Sequence, residues 1–120
     1  MEYLEINETR RLTEQREYLD TFNSYLTAIE KHPSVKIYIE YEFRVVLAKL
    51  MEVLFKMPRH SFKMMNCVRY ALRAFPGNIV LLTDIGDIFY SYGMHAEALI
   101  HYKKAFNFDS FPVNVEMKIN

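Results

Sequence analysis

One cysteine, three glycines and four prolines are spread over 120 residues, and each shortage excludes something. With Cys67 alone no internal disulfide can form, and a single thiol without a partner motif does not make a metal site. Such cysteine usage fits an intracellular compartment, cytoplasmic or nuclear. Scarce glycine and proline argue against a β-sandwich and for long helices with brief punctuation. The formal net charge is zero, so nothing global draws the chain to nucleic acid or to an anionic membrane. No apolar run is long enough, or free enough of charge, to span a bilayer. The N-terminus, MEYLEINETRR, is polar and acidic where a signal peptide needs a basic start and an apolar stretch.

What the chain does hold is apolar surface. Half of it (51%) is hydrophobic and 15% aromatic, enough for a substantial core at this length without disulfides. The apolar residues recur at helical spacing throughout. A first helix is expected over Asn7–Lys31, with Tyr18, Phe22, Tyr25, Leu26 and Ile29 on one face and Thr9 or Thr13 as cap. Its mostly charged beginning, before Tyr18, should be exposed or loosely packed. His32-Pro33 ends it, because the residue before proline resists the α conformation. A second helix, Ser34–Lys56, carries two stripes: Tyr38, Tyr41, Val45 and Ala48, and Phe43, Leu47, Leu50 and Leu54. Apolar on two faces, it should be the most buried helix. Met57-Pro58 stops it, and Ser61 would cap a third helix, Phe62–Phe75, with Met64, Met65, Val68, Ala71 and Leu72 inward.

Pro76-Gly77-Asn78 is the clearest punctuation, pairing a turn-forming glycine with an asparagine suited to capping the next helix. Two helices, Ile79–Tyr92 and His95–Asn107, are expected after it, separated by Gly93. A tail from Ser110 begins at Phe111-Pro112 like the start of a short sixth element.

The stretch NIVLLTDIGDIFYSYGMHAEALIHYKKAFNFD carries a spacing pattern of its own. Leu82, Ile85, Gly86 and Phe89 follow W-x2-L-G-x2-Y with Leu, Ile and Phe in place of Trp, Leu and Tyr, and Ala98 and Tyr102 follow A-x3-F. Residues 78–109 thus resemble one tetratricopeptide repeat. Ala71, Leu72 and Pro76 are similar to the end of a preceding repeat, and Ala71 to Ala105 is 34 residues, the family's period. Ala28 to Ala71 is 43, so residues 34–77 depart from the pattern. There Pro33, Tyr38 and Tyr41 resemble the half-a-tetratricopeptide repeat of RNA-processing assemblies. The resemblance implies one all-α domain, a short helical solenoid of antiparallel pairs, with an N-terminal helix (1–33), a degenerate repeat (34–77), a well-matched repeat (78–109) and a tail (110–120). It further implies that Gly86 and Ala98 face each other where two helices cross, with Phe89 and Tyr102 at the ends of that contact.

No nucleophile elbow, phosphate loop or dinucleotide fingerprint is present, and His32, His60, His95 and His101 do not share a helical face. No catalytic, metal or cofactor residue is therefore assigned. The family resemblance implies a protein-binding scaffold or adaptor, with Asp84, Asp87 and Tyr90 on the concave face toward a peptide. Leu99, Tyr102, Phe106, Phe108 and Phe111 form a candidate oligomer surface, since the chain supplies no confident capping helix after them. Residues 36–73 carry eight Lys or Arg against three acids, and Lys56, Arg59, Lys63, Arg69 and Arg73 form a candidate basic patch. That patch either pairs with the acidic first helix or, in the alternative reading of a nucleic-acid-associated module, contacts phosphates.

Overall fold

The computed structural model describes the backbone of residues 2–119 and the side chains of residues 7–108. It is all-α. Five helices, α1 (Glu2–Lys31), α2 (Lys36–Phe55), α3 (Ser61–Ala74), α4 (Ile79–Ser91) and α5 (His95–Ile119), are joined by two 3-10 turns, Pro33–Val35 and Pro58–His60. There is no strand among the described residues. Two compact units separate after Ala74.

In the first unit α1 packs on α2, and α2 on α3. Both bends are built alike. His32 (φ −138°, ψ 78°) and Met57 (φ −128°, ψ 79°) are each driven out of the α region by the proline that follows. That proline then opens a 3-10 turn, where its missing N–H leaves no bond unmade. Ser61 is consequently the first residue of α3 in helical conformation (φ −58°, ψ −35°), not the cap expected of it. The core gathers Phe22 and Ile29 from α1, Phe43, Leu47, Leu50, Met51 and Leu54 from α2, and Met64, Cys67, Val68 and Ala71 from α3. Phe22 stacks on Phe43 with ring centroids 5.1 Å apart.

Only one of the two stripes foreseen on α2 is core. Tyr38 and Tyr41 are 80% and 65% exposed, and Val45 and Ala48 are half-buried. The Arg44 guanidinium lies 5.9 Å from the Tyr41 ring centroid, a cation over one face of a ring that stays mostly exposed. The beginning of α1 also differs from expectation. The helix starts at Glu2, Thr13 returns its hydroxyl to the Thr9 carbonyl (3.0 Å) instead of capping, and Gln15 is buried.

The second unit is a hairpin of α4 on α5. Asn78 caps α4 as its sequence position suggests, its side-chain oxygen accepting from the Leu81 N–H at 2.9 Å. Gly77 (φ +73°) and Gly93 (φ +80°) hold the left-handed conformations that turn the chain before and after α4. Leu81, Leu82, Ile85, Phe89, Ala98 and Ala105 are buried. What lies against Gly86, however, is the Tyr102 ring: a Cβ added there would stand 2.6 Å from Cε1 and 2.8 Å from Cδ1. The small residue foreseen for a helix-on-helix contact makes room for an aromatic ring. Helix α5 runs to Ile119 rather than ending at Asn107, so Phe111-Pro112 lies within it and does not open a separate element. Phe111, Val113, Val115, Met117 and Ile119 lie outside the residues whose side chains are described. No helix among the described residues is long and apolar enough to cross a membrane.

Candidate functional site

Polar organisation in the first unit centres on a buried glutamine. Gln15, 6% exposed, sits on the inward face of α1 seven residues before Phe22, two helical turns along the same stripe. Its Oε1 accepts from the Lys63 ammonium at 3.1 Å. Lysine can only donate, so this contact fixes which end of the amide is oxygen. The Nε2 group then donates toward Met57 Sδ and His60 Nδ1, both at 3.3 Å. His60 Nδ1 is therefore an acceptor, and the neutral ring carries its proton on Nε2.

Above this network is a cleft of about 300 Å3, lined by Glu8 and Arg11 of α1 and by residues 56–60 of the second bend. Of the basic residues singled out from sequence, it brings together Lys56 and Arg59. It leaves out the others: Lys63 turns to Gln15, Arg69 bonds the Asn66 side chain at 3.4 Å, and Arg73 lies 5.6 Å from the Tyr70 ring centroid. Arg11, assigned no role from sequence, joins them across the helix interface. Cys67 is buried, and desolvation pushes its thiol up to about 11 against a smaller opposing effect of the Lys63 charge. That position makes it an inert core thiol.

In the second unit the residues expected on two surfaces meet. The Tyr102 hydroxyl donates to Asp87 Oδ1 at 2.5 Å. The carboxylate that accepts this bond pushes the tyrosine up to about 12, with desolvation and the nearby negative charge acting in the same direction. Tyr102 is thus half-buried against Gly86 and tied to the α4 carboxylate, so it is not part of an outward apolar surface. Asp84 is half-buried, and Tyr90 stacks on His95 with centroids 4.9 Å apart. Leu99, Phe106 and Phe108 do project outward, at 52%, 68% and 52% exposure, with Phe108 also resting near Gly77.

His101 is buried although no other histidine shares its helical face. It follows Ala98 by three residues and precedes Ala105 by four, which places it on the buried face of α5. Its ring packs 5.3 Å from Phe89, and Nδ1 lies 2.7 Å from the Glu97 carbonyl, an acceptor only, so Nδ1 bears the proton. His60 and His101 should therefore be opposite neutral tautomers. Long-range proton–nitrogen correlation spectra at mildly alkaline pH test this: both rings showing the same tautomer would contradict the assignment. No family model, curated protein or solved structure matches the chain.

Proposed function

We propose that this chain is a non-catalytic protein-interaction module, a scaffold or adaptor domain built on tetratricopeptide-like pairing of antiparallel helices. The observation that carries the reading is the outer side of α5. Leu99 and Phe106, seven residues apart on one helical stripe, and Ile100 next to Leu99 all project into solvent, whereas Phe108 lies on the far side of α5 near Gly77. Exposed apolar side chains scattered singly are ordinary, but neighbouring large ones on one side of a helix suit an interface. Ala98 and Ala105, each about 100° round the helix from Leu99 and Phe106, are buried where α5 meets α4 and leave those larger side chains for a partner. The partner is a second copy of the chain or another protein subunit, joined through the C-terminal helices.

Sedimentation equilibrium of the wild type and of a Leu99→Glu, Phe106→Glu variant at tens of micromolar tests the reading, paired with affinity capture from native extract. Self-association of the wild type, or a captured partner, that the variant loses would support it. A monomeric wild type that retains nothing the variant does not would overturn it.

One observation favours a second reading, an RNA-associated module akin to the half-a-tetratricopeptide class. Tyr38 and Tyr41 present exposed rings on α2, with Arg44 over Tyr41, and aromatic faces with adjacent guanidinium groups are stacking platforms for bases. RNA affinity that falls steeply with salt and is lost in Tyr38→Ala, Tyr41→Ala would favour this reading over the first.

A further inference from the structure

We propose that the cleft between the start of α1 and the second 3-10 turn is a binding site for a phosphomonoester group. This goes beyond the scaffold reading and rests on a different unit. Among the described residues that line the cleft, three side chains carry a full positive charge, Arg11, Lys56 and Arg59, against one acid, Glu8. The local balance is two positive charges in a chain whose total is zero. A phosphomonoester carries about −1.5 to −2 at neutral pH, which matches that excess. Two guanidinium forks arriving from different elements, α1 and the bend, can each take two phosphate oxygens, and Lys56 adds a point charge.

The site is also built, in the sense that a buried polar anchor sets one of its walls. His60 lines the cleft, and its Nδ1 is engaged from behind by Gln15, whose other end is held by Lys63. The imidazole is thereby left with an Nε2–H donor in its neutral form. A solvated basic face needs no such arrangement, and burying a glutamine amide is unfavourable unless every polar end is paired. Lys63 serves the anchor rather than the cleft.

Size and lining select among anions. A volume of about 300 Å3 is at the small end for ligand sites, room for a phosphoryl group and a little of its carrier. Among the described lining residues the His60 imidazole is the only aromatic ring, and one ring held at its edge by Gln15 gives successive bases no stacking platform, so a nucleic-acid strand is a poor match. The shared chemistry is the phosphomonoester itself, borne by a phosphorylated peptide or by a small metabolite.

Titration of the intact, isotope-labelled chain with O-phosphoserine, a phosphoserine peptide, inorganic phosphate and a single-stranded RNA oligomer tests the proposal through backbone amide shifts. Saturable shifts at Arg11, Lys56, Met57, Arg59 and His60 with the phosphomonoesters are expected. Arg11→Gln with Arg59→Gln should weaken that binding by at least about tenfold, the value of one charge-assisted contact, whereas Arg69→Gln with Arg73→Gln should leave it unchanged. Circular dichroism matching the wild type establishes that each variant is folded. Tighter binding of the peptide than of O-phosphoserine supports the site with a protein source, and equal binding supports it with a small-molecule source. Absence of saturable shifts with any phosphomonoester, undiminished affinity in the Arg11→Gln, Arg59→Gln variant, or shifts produced by RNA alone would each overturn it.

Discussion

Phe43→Ala is expected to cost the first unit about 3–5 kcal/mol, a large part of the total stability of a small domain. Phe43 is fully buried in the middle of α2, stacked on Phe22 at 5.1 Å and tilted against Tyr25 at 6.4 Å. Removing the ring forfeits its burial, leaves a void among residues on two helices that cannot all collapse into it, and ends an aromatic pairing worth about 0.5–1.5 kcal/mol by itself. The same helix supplies the control. Tyr38→Ala and Tyr41→Ala alter side chains that stand mostly in water, so each should change stability by no more than about 0.5 kcal/mol. Urea unfolding followed by circular dichroism measures all three. A loss under about 1 kcal/mol for Phe43→Ala, or equal losses for Phe43 and Tyr38, would show that α2 does not bury the face assigned to it.

The second large effect is at Gly86. Leucine there should lower stability by about 2 kcal/mol or more, and melting by roughly 10 °C, because the Tyr102 ring already fills the space. Alanine makes the more discriminating experiment. In a helix it gains about 1 kcal/mol over glycine, but its methyl would stand 2.6 Å from the ring. Moving the ring aside breaks the hydroxyl bond to Asp87. Gly86→Ala should therefore destabilise the wild type and stabilise a Tyr102→Ala background, and the same sign in both would refute the contact. The hydroxyl bond has a pH window of its own. Tyr102 is raised in the folded state from 10 to about 12, so the bond's contribution is whole below pH 10 and is lost as pH rises toward 12.

Local chemistry made most of the secondary structure legible in the sequence. Pro33, Pro58 and Pro76 mark three of the breaks, and Asn78 and Gly93 bracket α4, since each acts through its own backbone bonds. Ala98 and Ala105 were legible as buried through their spacing. Tyr38 and Tyr41 were not legible as exposed, because a helical aromatic stripe looks the same whether a neighbouring helix covers it or solvent does. The cleft was half legible: Lys56 and Arg59 stood out as charges, while Arg11 lay in a different helix with nothing local to connect them. Gln15 had a signal that went unread. Counting back by sevens from Ile29 and Phe22 reaches Gln15 and then Glu8, so the inward stripe of α1 continues into its charged half and turns polar where it meets the cleft.

The placement of Cys67 has a practical consequence for spectroscopy. With the thiol raised to about 11 by burial, Cys67 stays protonated at neutral pH, and the same burial hides it from reagents. The native chain is in effect a thiol-silent background. A cysteine introduced at an exposed position, as in Arg69→Cys on α3 or Phe106→Cys on α5, would take a maleimide spin label or fluorophore alone, so distance measurements could begin without first mutating the core.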